Sequence, residues 1–119
     1  MSSLVPTKEA RKAFAESPDD GPVVMLNLLK FKPDGGSKSY GKYSEAFLPM
    51  LHAAGGRILY AGRAAELLIG DETWDAVALV EYPSRQAFLA VTSTPEYRAI
   101  AAWREAGLER TVLQATTPR

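Results

Sequence analysis

The segment Val23-Val24-Met25-Leu26-Asn27-Leu28-Leu29-Lys30-Phe31 is apolar on both faces of any strand it forms, apart from one amide and one late lysine. One face would hold Val23, Met25, Leu29 and Phe31, and the other Val24, Leu26 and Leu28. A strand in a sheet with one solvated face alternates apolar and polar residues, and this one does not. Both faces therefore need cover. A chain of 119 residues is one domain of ordinary size and is short of helix for two covering layers, so a partner subunit is the expected second layer. Asn27 lies among these apolar residues and must find hydrogen-bond partners there.

Composition narrows the function classes. Hydrophobic residues make up 46%, enough for a real core. Lys+Arg and Asp+Glu both number 14, so the formal charge is zero. That balance argues against a nucleic-acid binder and against a polybasic membrane-surface protein. With no cysteine, disulfides, thiol catalysis and thiolate metal sites are excluded. One histidine and no cysteine also make a typical zinc site untenable, and no metal or cofactor is expected. The sequence has no G-x-S-x-G elbow, no G-x-G-x-x-G fingerprint and no phosphate-binding P-loop. No apolar run approaches the ~20 residues of a membrane span. Met1 to Pro6 lacks a basic region followed by an apolar stretch, so a cytoplasmic location is the default expectation.

Thr7 to Glu16 reads as a short peripheral helix, stopped by Ser17-Pro18-Asp19-Asp20-Gly21. After the first strand, Lys32 to Lys38 carries strong turn chemistry and reads as a mobile loop; its place is left open, with a lid over a pocket mouth as one role for it. Ser39 to Ala54 reads as a helix with Tyr40, Tyr43, Phe47, Leu51 and Ala54 on one face, kinked at Pro49 and ended by Gly55-Gly56. Arg57 to Arg63 starts a second strand, which could continue to Ile69, with Gly62 marking a bulge or a close approach. A short link, Gly70 to Thr73, then leads into a third strand from Trp74 to Tyr82, forming an antiparallel hairpin. Ser84 caps a helix carrying Phe88 and Leu89 inward. Thr94 and Pro95 start another, with Tyr97, Ile100, Ala101 and Trp103 inward, and Leu108 to Thr116 is the fourth strand.

After the N-terminal helix the order is β-α-β-β-α-β, the split βαβ or ferredoxin-like pattern of the α+β class. Its helices cover one face of a four-stranded antiparallel sheet. The other face, apolar in the first strand, predicts a homodimer through sheet faces. Residues 1–20 are expected to form a helical extension and residues 21–119 the domain proper.

Gly21 to Phe31, Tyr40 and Tyr43, Gly55-Gly56-Arg57, Glu81-Tyr82-Pro83-Ser84, Ser93 to Tyr97 and Arg104 occur in this order. The set resembles a family of short bacterial domains of unknown function in the dimeric α+β barrel superfamily, from about residue 21 to the end. The N-terminal helix looks like the extension of a longer subgroup. The resemblance implies an architecture shared with antibiotic-biosynthesis-type monooxygenases, muconolactone isomerase-like proteins, chlorite dismutase-like haem proteins and stress-responsive barrels, which place a small-molecule pocket between sheet and helices. It implies no particular reaction.

Each candidate side chain therefore has two readings. Asn27 would orient a ligand carbonyl or, equally, tie a core strand to a helix. His52 would move a proton, or simply sit at the negative end of a helix dipole. Arg57 would grip a carboxylate, or pair with Asp75 or Glu81 across the hairpin, and Arg63 and Arg104 are weaker forms of the same idea. Asp75 would be a general base if buried, and an exposed turn carboxylate otherwise. Trp74 suits packing under a helix, and Tyr40, Tyr43, Tyr60, Tyr82 and Tyr97 suit either core filling or a pocket for a planar ligand. Three functions stay open: a cofactor-free enzyme acting on a small anionic or aromatic metabolite by proton transfer or oxygenation, a non-catalytic ligand-binding or stress-response module, and a purely structural dimer. Convergence of His52, Arg57 and Asp75 on one cavity would favour chemistry, and their dispersal would favour binding.

Overall fold

The computed structural model describes residues 3–118. Its elements are α1 (Lys8–Ala15), β1 (Val23–Phe31), α2 (Gly36–Ala53), β2 (Arg57–Arg63), β3 (Ala76–Tyr82), α3 (Arg85–Thr92), α4 (Pro95–Gly107) and β4 (Leu108–Thr116). The strands form one antiparallel sheet in the order β2-β3-β1-β4. The fold is the ferredoxin-like α+β arrangement with a short N-terminal helix.

Local chemistry sets the helix ends. The side chains of Thr7, Ser84 and Thr94 accept hydrogen bonds from the amides of Ala10, Ala87 and Tyr97, at 3.0, 3.1 and 3.0 Å. Pro95 follows its cap at the first helical position, where its missing N–H costs nothing. Gly55 ends α2 in the left-handed conformation with φ 82°, which a β-carbon disfavours.

The register sorts the side chains of β1 between two faces. Met25 lies opposite Val80 and Ala115, and Val23 opposite Tyr82. These residues meet Leu51 of α2 and Phe88 of α3 in the core, with Val23 and Leu51 fully buried. On the other face Leu26 lies opposite Leu79 and Leu28 opposite Val77 and Val112. Among the described residues no helix covers that face, and these five side chains are half-buried in the single chain. The outer extension is tied down by an edge-to-face contact of Phe14 with Phe88, at 5.3 Å between centroids, and by Arg85 over the Phe14 ring.

Several expectations need correction. The loop after β1 is shorter than Lys32 to Lys38, because α2 begins at Gly36, whose amide bonds to the Lys32 carbonyl, so the expected lid is a helix start. Such close packing is possible because Gly36 faces Gly107: a β-carbon on either would come within 2.6 Å of the other's carbonyl oxygen. The link between β2 and β3 spans residues 64–75 rather than a tight turn, and β3 starts at Ala76 rather than Trp74. Leu68 and Ile69 in this link are 91% and 94% exposed. Trp103, expected inside, is 42% exposed. Trp74 packs against the Arg110 guanidinium, 4.5 Å from the ring centroid, rather than under a helix. Of the two readings of Gly62 the close approach holds, since the Tyr60 ring folds over it, while the bulge lies between Ile58 and Tyr60.

Candidate functional site

A cavity of about 830 Å³ lies between the inner face of the sheet and the helices. Its floor is built by alternation along the strands: Met25, Asn27, Leu29 and Phe31 of β1, Ala76, Ala78 and Val80 of β3, and Leu113 of β4. The small alanines of β3 leave the space that bulkier side chains would fill. Its roof is the aromatic stripe of α2, with Tyr40, Tyr43 and Phe47, together with Tyr97, Ala101 and Arg104 of α4. Val5 and Pro6 of the N-terminal segment also line it.

The rings form a chain of contacts. Phe31 and Tyr40 are 5.6 Å apart, Tyr40 and Tyr43 5.3 Å, and Tyr43 stacks on Phe47 at 5.6 Å. Tyr97 closes the group edge-on, 6.0 Å from Tyr43, and the two hydroxyls hydrogen-bond at 2.9 Å. Aromatic pairs at such distances fix one another's orientation, so the wall is rigid. Asn27 donates from Nδ2 to the Met25 carbonyl at 3.2 Å, which turns the amide along its own strand.

Burial raises the phenols of Tyr43, Tyr82 and Tyr40 above the ordinary 10.0. For Tyr43 the neighbouring Tyr97 adds to the effect, and for Tyr40 the Arg104 charge works against it. They stay neutral at physiological pH, so each is available as a hydrogen-bond donor and not as a base. Because the folded state holds these protons more tightly than the unfolded chain, stability is unaffected below about pH 10 and falls as pH rises beyond it. The expected loss is on the order of 1 kcal/mol per pH unit for each of Tyr43 and Tyr82, with Tyr40 adding in the same direction. Their phenolate absorbance should therefore rise together with unfolding, not before it; early titration by all five tyrosines would contradict the burial.

The remaining sequence candidates lie elsewhere. His52 is exposed in the last turn of α2. Arg57, with its side chain 69% exposed, bonds Glu81 at 2.8 Å on the uncovered side of the sheet. Asp75 accepts a hydrogen bond from the Phe31 amide at 2.9 Å and lies 3.6 Å from the Lys30 ammonium. Tyr60 is 55% exposed, and Trp74 stacks with Arg110. None of these five lines the cavity, whereas Asn27, Tyr40, Tyr43 and Arg104 do. Tyr97, read from sequence as an inward residue and as one of five phenols suited to core filling or to a ring-lined pocket, belongs with this second group. Its position three residues before Ile100 on the buried stripe was the available signal. Among the described residues no group of three His, Cys, Asp or Glu could hold a metal ion, and no helix is long and apolar enough to cross a membrane.

Known proteins share this architecture. Residues 36–116 match the domain of unknown function DUF1330. A crystal structure of a protein of unknown function from Rhodopseudomonas palustris is 33% identical over 100% of this chain and 98% of its own, with a TM-score of 0.93. The chain belongs to the DUF1330 family. The Rhodopseudomonas match includes the N-terminal extension, which lies outside the matched DUF1330 segment. More distant structures share the fold alone. A Bacteroides thetaiotaomicron protein described as a candidate antibiotic biosynthesis monooxygenase is 17% identical, covering 82% of this chain and 90% of its own, with a TM-score of 0.62. A dimeric protein of unknown function with a ferredoxin-like fold from Bacteroides fragilis is 16% identical over 81% and 95%, with a TM-score of 0.55. No curated protein matches the chain.

Proposed function

We propose that this DUF1330 protein is a homodimeric binding domain for a small, mainly apolar metabolite held between sheet and helices. The cavity carries the proposal: about 830 Å³, walled by rings and aliphatic side chains, with a few convergent polar groups. Ligand pockets have that size and that make-up. Binding is favoured over turnover by the dispersal of His52, Arg57 and Asp75, since proton transfer needs a donor or base within reach of the reacting atom. Assembly is favoured by the uncovered apolar face of the sheet, by the almost fully exposed Leu68 and Ile69, and by the dimeric state of the Bacteroides fragilis relative. The cavity lies on the opposite face from this interface, so two copies would carry one ligand each.

The test is to fill the space. Ala78 stands at the cavity floor between Asn27 of β1 and Ala61 of β2. With neutral naphthalene-sized aromatics as probes, Ala78→Phe is expected to weaken binding by about tenfold or more, since it removes most of the apolar contact area. Chemical-shift titration of wild type and variant reads the effect. A wild-type protein that binds none of the probes and carries no small molecule when isolated would sink the reading.

A further inference from the structure

Arg104 is only 8% exposed, yet it has no acidic partner among the described residues. The ion pairs among the described residues are Lys30–Asp75, Arg57–Glu81, Arg85–Asp19 and Arg110–Glu72. The two acidic residues that line the cavity, Glu45 and Glu105, are exposed, and neither pairs with Arg104. Arg11, which also lines it, is engaged with the Ser93 and Thr92 hydroxyls. A guanidinium removed from water without a counter-charge is strongly unfavourable, and proteins retain such a group where an anion arrives from outside.

The orientation of Arg104 is set by a single hydrogen bond, from Nη1 to the Leu4 carbonyl at 2.5 Å. That contact leaves the side-on edge, Nε with Nη2, without a protein acceptor among the described residues. No fully enclosed side-chain nitrogen or oxygen among them lacks a partner, so each nitrogen of this edge keeps some accessible surface, on a residue that lines the cavity. It is the edge that meets a carboxylate with two parallel hydrogen bonds. A second donor stands nearby. Tyr40 lines the same cavity as Arg104, and the Arg104 charge acts on its phenol. Among the described residues the tyrosine hydroxyl hydrogen bonds are confined to the Tyr43–Tyr97 pair, so the Tyr40 hydroxyl is free to donate.

We propose that the Nε–Nη2 edge of Arg104 and the Tyr40 hydroxyl seat the carboxylate of a singly charged, otherwise apolar acid. The body of the acid lies over Met25, Ala78 and Val80 toward Asn27. One unpaired guanidinium in an apolar cavity compensates one negative charge, which favours a monocarboxylate over a phosphate ester or a dicarboxylate. The Leu4 carbonyl acts as a positioning group, holding the other edge of the guanidinium. This proposal rests on the cavity being a ligand site and adds the chemical class of the ligand.

The test pairs a set of aryl and medium-chain alkyl monocarboxylic acids with their primary amides, titrated calorimetrically into the intact protein. Each acid should bind about tenfold or more tightly than its amide, the range expected for hydrogen bonds to a charged group. Arg104→Met, which keeps an apolar stem of similar length, should erase the preference while leaving amide binding in place, and Tyr40→Phe should reduce it. Equal binding of acids and amides to the wild type, or an undiminished preference in Arg104→Met, overturns the carboxylate seat while the cavity stands as a binding site. Failure of both series to bind overturns the cavity reading and the seat together. Should Arg104→Met not fold, the wild-type comparison and Tyr40→Phe decide the matter.

Discussion

Lysine in place of Leu79 is expected to turn the proposed dimer into a folded monomer. Leu79 lies directly opposite Leu26 on the uncovered face of the sheet, in the central pair of strands, and Tyr60 is its neighbour on β2. A two-fold axis would present the same patch on both subunits, so a single substitution places two ammonium groups in one apolar interface. Each would be desolvated without a partner. A central interface residue replaced in this way weakens association by a factor of about 100 or more. The helix-covered core is on the other face, so the monomer should keep its secondary structure. Native mass spectrometry across a dilution series reads the dimer fraction, and circular dichroism shows that the fold persists. If the variant remains as dimeric as the wild type, the sheet face is not the interface.

Alanine at Gly107 is expected to destabilise the protein by about 1–3 kcal/mol, against the usual sense of glycine-to-alanine changes in helices. A β-carbon there would lie 2.5 Å from the Gly36 carbonyl oxygen and 2.9 Å from the Tyr40 amide nitrogen. Both are backbone atoms of the first turns of α2, so relief requires α2 and α4 to move apart. Gly36→Ala should cost a similar amount for the reciprocal reason, its β-carbon meeting the Gly107 carbonyl oxygen at 2.6 Å. Because the two changes disturb one contact, the double variant should lose less than the sum. Gly41 is the control. It lies inside α2 with nothing within 4 Å of where a β-carbon would sit, so Gly41→Ala should be neutral or stabilising by up to about 1 kcal/mol. Urea unfolding of the three variants settles it: a Gly107→Ala midpoint equal to that of Gly41→Ala would mean that the helices are not held at glycine distance.

The parts of this molecule that were legible in the sequence are those governed by neighbours along the chain. Alternation in β1 placed Met25 and Leu26 on opposite faces because successive strand residues point to opposite sides. Thr7, Ser84, Thr94 and Gly55 announced helix ends because caps act within one turn. The spacing of Tyr40, Tyr43 and Phe47 foretold a single aromatic face on α2. The start of α2 was misread because turn-forming residues from Lys32 to Lys38 obscured a helix that depends on Gly107, far away in the chain.

The site divides in the same way. Arg57 and Arg104 are chemically alike in the sequence, and only strand and helix placement separates them. Register brings Glu81 beside Arg57 on the outer face, so that charge is matched and solvated. Arg104 is carried by α4 into an apolar cavity with a backbone carbonyl for company. Asp75 likewise is occupied by the Phe31 amide and Lys30, partners that no local pattern announces. The sequence by itself determined which elements form, in what order, and that one sheet face would be left apolar. Which polar side chains are paired and which face the cavity was decided by the tertiary structure, because pairing depends on atoms that lie a few ångströms apart in space and scores of residues apart in the chain.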